Sequence, residues 1–382
     1  MPFMRTRQPI PSFQFFQLEW PLMASVATAL LFLLFGNTWL NDLSSPLWFT
    51  FVLTWLFAVV LFSAFAVVRH AEHLADRLGE PVGTLILTLA VTAIEVMMIA
   101  AMMYTGEGNP TLARDTMFAV VMIVLNGMIG LTLLLGGLRY HEQMYNLRGA
   151  NAYLAVIVPL AVLGMVLPNF TVSSPGPTLS PFQAIFVIVM SIGLYGVFLA
   201  IQTTRHRDYF ILPGAETATT PAHSYRGGGA KTGSVSYHTW LLVIYLLPLI
   251  ILSKQFAVPI NHAIHALGAP PVFGGFLVAV LILSPESLSA VRATLANQLQ
   301  RSVNLLLGSV LATISLTIPA VLTIGFVKGE SIILGVNGAD TILLLLTLGI
   351  SMLTFASIRT NVLLGMVHLL LFLAYVMLMF ER

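Results

Sequence analysis

Two glutamates, Glu95 and Glu286, combine an unusual environment with a repeated spacing. Each lies inside a long apolar stretch, Glu95 twelve residues after Gly83 and Glu286 twelve residues after Gly274. A carboxylate surrounded by hydrocarbon is energetically costly, so it persists beside a cation, in a cavity, or carrying a proton. Because the two positions match, we interpret the pair as one site for a cation or for protons rather than as two unrelated packing residues.

The other charged residues support a mobile counter-ion. Of the fifteen Asp and Glu residues, only Glu95 and Glu286 are predicted to lie deep inside apolar stretches, and the remainder are predicted to reach water. No Lys or Arg is predicted at a comparable depth. The chain has no cysteine, which excludes thiolate chemistry. An intramembrane hydrolase would need a nucleophile with its base, paired aspartates or an HExxH helix, and none lies in these stretches. A passive cation channel is a further alternative, which the repeated glutamates disfavour.

The amino-acid composition indicates whether the chain is surrounded by water or by lipid. The chain has 382 residues, 58% of them hydrophobic and 8% charged, whereas a soluble domain carries about 25% charged residues. Its apolar residues form blocks of roughly 20, the length of a bilayer crossing. The sequence therefore predicts an all-α polytopic membrane protein. The net charge of +2 is spread thinly, so we expect no nucleic-acid partner, and no cofactor is predicted.

Eleven transmembrane helices are predicted. They lie near residues 22–40, 47–68, 81–103, 116–138, 151–167, 182–203, 240–258, 272–291, 303–326, 339–357 and 361–380. We divide the chain into an N-terminal segment with the first helix (1–46), a first half (47–203), a polar linker (204–238) and a second half (239–382). The glutamate helices are those at 81–103 and 272–291.

The distribution of basic residues predicts the orientation, because cytoplasmic loops are enriched in Lys and Arg. With a cytoplasmic N-terminus, 13 of the 17 Lys and Arg residues fall on the cytoplasmic side. This predicts a multi-pass protein of a bacterial inner membrane whose C-terminus lies outside. The first glutamate helix then runs outward and the second inward. We therefore predict two inverted repeats of five helices plus one extra N-terminal helix, a plan common among secondary transporters.

Helix geometry raises a difficulty for this site. At 1.5 Å per residue, each glutamate lies roughly 21 Å along its predicted helix, about 6 Å past the centre of a core roughly 30 Å thick. Two straight antiparallel helices would leave the glutamates about 12 Å apart in depth. We therefore predict that the helices break or tilt at Gly83, Gly274, Gly275 and Pro285.

Three stretches resemble the calcium/cation antiporter superfamily, and most of all its bacterial calcium/proton exchanger branch, whose members include sodium-potassium/proton antiporters. They are GEPVGTLILTLAVTAIE at 79–95, LSPESLSAVR at 283–292 and NQLQRSVNLLLGS at 297–309. The resemblance implies that Glu95 and Glu286 bind the metal cation and couple it to protons, with supporting ligands from Asn126 and Ser309.

The sequence departs from the family beside both glutamates. Many relatives have Gly-Asn-Ala there, whereas this chain has Thr92 in the first repeat and Ser284 in the second, so hydroxyls replace amide oxygens as possible ligands. The resemblance implies a transporter, not an enzyme, that exports Ca²⁺, together with Na⁺ or K⁺, in exchange for H⁺ by alternating access. A strictly monovalent Na⁺(K⁺)/H⁺ antiporter is the alternative.

Three histidines, His70, His73 and His368, are assigned structural roles. His70, Glu72 and His73 have the spacing of metal ligands on one helix face, but an amphipathic turn at the cytoplasmic surface is the preferred interpretation. His368 lies inside the last predicted helix, where we predict an interhelical hydrogen bond.

Overall fold

The described part of the chain contains eleven long helices. A computed structural model of the chain describes residues 19–78, 82–105, 111–212 and 234–381. The helices are α1 Trp20–Asn41, α2 Pro46–Leu78, α3 Val82–Thr105, α4 Leu112–Tyr140, α5 Leu147–Asn169, α6 Pro181–Arg205, α7 Val235–Leu267, α8 Val272–Leu295, α9 Leu299–Lys328, α10 Gly338–Thr354 and α11 Val362–Phe380.

The predicted fold class, an all-α polytopic membrane protein, is confirmed. Within the described ranges there are no β-strands, and nine helices are long and apolar enough to cross a membrane. The boundaries differ most at the C-terminal ends of α2 and α7, which extend to Leu78 and Leu267 instead of residues 68 and 258. At the predicted linker, α6 extends to Arg205 and α7 already begins at Val235. Residues 213–233, the greater part of that linker, lie outside the described residues, as do residues 1–18.

Helix lengths reproduce the predicted repeat. α2 and α7 each contain 33 residues, and α3 and α8 each contain 24. α4 and α9 follow with 29 and 30 residues. Successive spanning helices alternate in direction, and α8 comes five helices after α3. The two glutamate helices therefore run in opposite directions.

The helix after each glutamate helix contains a short π-helical segment, in which each turn is wider than a turn of α-helix. It covers Met122–Met128 in α4 and Thr313–Thr317 in α9. A π segment inserts an extra residue into a turn and re-aims the side chains around it, and such segments are frequent at functional sites. Both repeats thus have a local irregularity at the same place.

The apolar core has two parts, and the glutamate helices contribute to both. One part is built mainly from α4, α5, α6, α9, α10 and α11, and the other mainly from α1, α2, α3 and α7. On α8, Ala279 and Leu283 pack into the first part, whereas Val278 and Ile282 pack into the second. The α3 and α8 helices consequently lie at the boundary between two packed bodies.

Glycines bring α4 and α11 into close contact. A methyl group on Gly365 would lie 2.6 Å from the main-chain nitrogen of Leu134 and 2.8 Å from the carbonyl oxygen of Gly130. Membrane helices associate largely through such close packing of small residues. The absence of side chains at Gly130 and Gly365 therefore sets the distance between these helices.

Gly365→Ala is expected to destabilise the protein, because the added methyl group forces α4 and α11 apart. Overpacking of this kind typically costs about 1–3 kcal/mol, which thermal unfolding in detergent would show as a lower Tm. Gly349→Ala on α10 is the matched control, since a methyl group there meets nothing within 4 Å. An equal Tm for the two variants would contradict this view of the α4–α11 contact.

The glutamate helices have no break at the predicted positions, and a tilt there stays a prediction. α3 runs without interruption through Gly83, and α8 runs without interruption through Gly274, Gly275 and Pro285. Gly275 instead permits close packing, because a methyl group there would lie 2.8 Å from the main-chain nitrogen of Thr116 on α4. Pro285 is accommodated inside the helix and removes one main-chain N–H donor.

A polar cluster joins the ends of α1, α2 and α7. Glu19 is fully buried and accepts hydrogen bonds from Arg69 and Tyr245, both at 2.9 Å. Its Oε2 also lies 3.2 Å from Nε2 of His70, and Nδ1 of His70 lies 2.9 Å from Nδ1 of His238. Burial works to raise the pKa of Glu19, but the hydrogen bond from His70 and the charge of Arg69 outweigh it and lower the pKa. The predicted surface position is therefore wrong for His70.

Candidate ion-binding site

Glu95 lies on α3 and is held by hydroxyl groups of α9. Its side chain is 1% exposed. Thr313 donates a hydrogen bond of 2.6 Å to Oε2, and Thr317 donates a longer one of 3.5 Å to Oε1. Both threonines belong to the π segment of α9. The irregular turn thus directs two hydroxyls at one buried carboxylate.

Glu286 lies on α8 in a similar environment. It is 3% exposed, and the hydroxyl of Ser309 on α9 lies close enough to interact with it. Its Oε2 has no hydrogen-bond partner among the described residues. A buried oxygen without a partner is costly, and it is available to a proton or to a cation.

The hydroxyls of α9 show how close the two carboxylates are. Ser309 and Thr313 are four residues apart, which corresponds to about 6 Å along a helix. One of them interacts with Glu286 and the other binds Glu95, so the carboxylates lie about one helical turn apart in depth. Their charges are near enough to interact directly. The ion pairs of the described residues give neither glutamate a basic partner.

Unbroken helices bring the glutamates together for two reasons. Both helices contain 24 residues, with Glu95 fourteenth in α3 and Glu286 fifteenth in α8. Each Cα therefore lies only about 2–4 Å past the middle of its helix. Helical side chains also lean toward the N-terminus, which in antiparallel helices moves both carboxylates back toward the midpoint. The larger predicted gap resulted from measuring depth against a core of roughly 30 Å, whereas each 24-residue helix is about 36 Å long.

The other predicted ligands are placed differently. Ser309 contacts Glu286, as described above. Thr92 is buried one turn before Glu95, whereas Ser284 donates a 2.5 Å hydrogen bond to the carbonyl of Val280 on its own helix. Asn126 lies in the π segment of α4, and its amide donates to Thr347 on α10 at 2.8 Å.

Asn126 also joins a polar network with His368. Nδ1 of His368 lies 3.3 Å from Oδ1 of Asn126, and its Nε2 lies 2.9 Å from Oγ1 of Thr354. The predicted interhelical hydrogen bond of His368 is therefore confirmed. It ties α11 to α4 and α10, and Asn126 is engaged there rather than hydrogen-bonded to a glutamate.

The sequence interpretation missed the hydroxyls of the α9 π segment. Thr313 and Thr317 bind Glu95, and the hydroxyl of Ser315 between them is buried without a partner among the described residues. The signal was present, because Ser309, Thr313, Ser315 and Thr317 place four hydroxyls within nine residues of an apolar helix.

The expectation that the other acids reach water is wrong at three helix ends. Glu19, Asp115 and Asp340 are buried, with exposures of 0%, 4% and 4%. Glu19 is paired with Arg69, and Asp115 with Arg114 at 2.7 Å. They differ from the central pair because polar partners close to the helix ends compensate their burial.

Comparison with known proteins assigns the family. A family model described as sodium/calcium exchanger protein matches residues 48–204 and again residues 237–381, once in each half. The chain belongs to the sodium/calcium exchanger protein family. It is therefore a cation transporter of a bacterial membrane rather than an enzyme.

Individual members of this exchanger family differ in their sequence identity to the chain. The sodium-potassium/proton antiporter ChaA of Escherichia coli (strain K12) is 43% identical over 323 residues, which cover 84% of this chain and 86% of that protein. A Ca(2+)/H(+) antiporter of Aphanothece halophytica is 24% identical over 75% of this chain and 78% of its own length. The chain is thus more similar to the first than to the second.

Solved exchanger structures share the fold. The native YfkE structure superposes with a TM-score of 0.70 at 17% identity, covering 95% of this chain and 100% of that one. The H+/Ca2+ exchanger CAX superposes with a TM-score of 0.67 at 16% identity, covering 95% of this chain and 89% of that one. The eleven-helix arrangement is therefore that of the exchanger superfamily.

Proposed function

We propose that the protein is a cation/proton antiporter in which Glu95 and Glu286 bind either a cation or protons in alternation. The observation that carries this proposal is the arrangement of the two buried carboxylates about one helical turn apart, with hydroxyl partners and no basic partner among the described residues. Because no fixed basic residue among the described ones balances their negative charge, a mobile cation or a proton must balance it.

Coupling follows from the cost of burying charge. Moving an unpaired carboxylate out of water is strongly unfavourable, so an empty site with two charges resists crossing between its two accessible states. A site that holds a cation, or protons, is closer to neutral and can cross. Because α3 and α8 lie between the two parts of the core, movement of one part against the other would expose the glutamates alternately to each side.

The oxygen donors suit hard cations. Two carboxylates and the hydroxyls of Ser309, Thr313 and Thr317 offer the ligand type that Ca²⁺ takes in sets of six to eight. The same pair can hold Na⁺ or K⁺ while one carboxyl retains a proton. We assign Na⁺, K⁺ and Ca²⁺ as substrates, since the 43% and 24% identical relatives are a sodium-potassium/proton antiporter and a Ca(2+)/H(+) antiporter. The higher identity to the sodium-potassium/proton antiporter favours a strictly monovalent transporter as the second candidate.

Placement in the membrane follows from the basic residues. We assign the protein to the bacterial inner membrane with a cytoplasmic N-terminus and an external C-terminus, the orientation that puts 13 of 17 Lys and Arg residues inside. Cytoplasmic cations would then leave the cell as protons enter.

Proton movement in everted membrane vesicles tests the proposal ion by ion. With the interior acidified, adding Ca²⁺, Na⁺ or K⁺ separately should raise the internal pH, because protons leave as each cation enters. Vesicles without the protein are the control. A response to Na⁺ and K⁺ but not to Ca²⁺ would select the monovalent candidate, and no response to any of the three would contradict antiport.

A further inference from the structure

A cavity opens between α2 and α8 on one side of Glu286. Its volume is about 330 Å³. Its polar lining comes from Arg69 and Glu72 of α2 and from Ser289 and Arg292 of α8, and apolar residues of α1, α2 and α8, among them Trp20, Phe62 and Leu288, form the rest. The polar residues lie toward the C-terminal ends of α2 and α8, so the cavity is on one side of the membrane midplane. In the proposed orientation that side is cytoplasmic.

One serine separates the acid of this cavity from the ion site. Ser289 donates a hydrogen bond of 2.8 Å to Oε1 of Glu72. It follows Glu286 by three residues, which makes the two side chains neighbours on the helix surface, about 4.5 Å apart along the axis. Glu286 itself is buried and has an oxygen without a hydrogen-bond partner among the described residues. A chain of oxygens therefore leads from the cavity toward the site.

The other repeat lacks this feature. Ser289 comes three residues after Glu286 on α8, whereas the residue three positions after Glu95 on α3 is Met98, which is buried in the apolar core. A thioether neither donates nor relays a proton. Among the described residues, the position on α3 that corresponds to Ser289 therefore offers no polar connection.

The groups around Glu72 suit a proton better than a metal cation. Arg69, on the same helix and paired with Glu19, and Arg292, on α8, also line the cavity. Their positive charge disfavours any cation in the cavity, metal or hydronium, which favours release of a proton from Glu72. A metal cation in addition needs a shell of several oxygen ligands, whereas a proton binds a single carboxylate oxygen.

We propose that Glu72 is a proton-relay residue, which passes protons between the cavity and Glu286 through Ser289 by a route separate from that of the transported cation. During exchange, Glu286 passes its proton to the Ser289 oxygen while the Ser289 hydroxyl proton moves to the Glu72 carboxylate, along the hydrogen bond that Ser289 already donates. Glu72 then releases that proton to water in the cavity as hydronium. One O–H bond breaks and one forms at each transfer, and Glu72 returns to the carboxylate. This inference rests on the proposed antiport.

Comparing two exchange modes in proteoliposomes tests the relay. Cation/proton exchange needs the relay, whereas exchange of radioactive Na⁺ against unlabelled Na⁺, or of radioactive Ca²⁺ against unlabelled Ca²⁺, moves no protons. Glu72→Gln should slow cation/proton exchange about tenfold or more, a modest effect for a lost acid–base group, and leave cation/cation exchange unchanged. Ser289→Ala should act in the same direction, and Glu72→Asp should restore part of the rate.

Glu142→Gln is the matched control, because this carboxylate is exposed and pairs with Arg359 at the surface. Unchanged cation/proton exchange in Glu72→Gln would overturn the relay. Equal slowing of both modes would overturn it as well, since a merely structural residue would affect both. Failure of the underlying antiport is distinguishable, because the unsubstituted protein would then show no cation/proton exchange.

Discussion

Glu95→Gln and Glu286→Gln should each abolish cation-driven proton movement in everted vesicles. Glutamine keeps the size and the hydrogen-bonding oxygen of the side chain but removes its charge and its exchangeable carboxyl proton. Either substitution leaves a site with one carboxylate, which can neither balance a divalent cation nor exchange a second proton. We expect rates equal to those of vesicles without the protein, measured at saturating cation.

Glu142→Gln provides the comparison for charge loss outside the site and should retain full activity, because its surface ion pair with Arg359 contributes little. Equal amounts of protein in the membrane must be verified for all variants. Substantial exchange by either central variant would mean that the two carboxylates do not act as one site.

Thr313→Val should weaken cation binding strongly. The Thr313 hydroxyl makes the shortest contact to Glu95, at 2.6 Å, and valine has nearly the same shape without the oxygen. A hydrogen bond to a charged group contributes about 1.5–3 kcal/mol, which corresponds to roughly a 10- to 150-fold increase in Kd. Titration of the purified protein with Na⁺ or Ca²⁺ would measure the change.

Two further variants separate the hydroxyl from general packing. Thr313→Ser restores the oxygen and should recover most of the affinity. Thr323 lies on the same helix, but its hydroxyl donates only to the carbonyl of Pro319. The Thr323→Val variant should therefore bind the cation with an unchanged Kd. Equal effects of Thr313→Val and Thr323→Val would refute a specific role for Thr313.

The sequence was sufficient to predict that Glu95 and Glu286 are buried carboxylates, whereas their role as the centre of an ion site stays a prediction. A long apolar chain leaves few explanations for a buried carboxylate, and the equal Gly83–Glu95 and Gly274–Glu286 intervals related two such positions to each other. The same hydropathy pattern predicted eleven helices, because main-chain groups in lipid must be satisfied within each helix. These inferences use only local composition and order along the chain.

The partners of the glutamates required the three-dimensional structure. Thr313 and Ser309 belong to the helix that follows α8, and whether they reach the carboxylates depends on the π segment of α9, which no local preference of Thr313–Thr317 indicates. Asn126 shows the opposite case. It is polar and lies at the corresponding place in α4, but its hydrogen bonds go to Thr347 and His368.

Helix length explains the error in the predicted depth of the glutamates, which was measured against a core of roughly 30 Å instead of helices about 36 Å long. Apolar windows predicted glutamate helices that ended at residues 103 and 291, whereas α3 continues to Thr105 and α8 to Leu295. The polar residues in the last turn of α8, Arg292 and Thr294, reduce the hydropathy without ending the helix. Adding these residues moves the midpoint of α8 toward Glu286, so no break at Pro285 is needed.

Proton release on cation binding tests the central proposal, one shared site for cations and protons, most directly. Purified protein in weakly buffered detergent solution would be mixed with Na⁺ or Ca²⁺ while the pH is recorded. We predict that binding releases protons from the unsubstituted protein, that the apparent Kd rises as the pH falls, and that Glu95→Gln and Glu286→Gln each lose this release. Cation binding without proton release, or release that persists unchanged in both variants, would contradict a shared site.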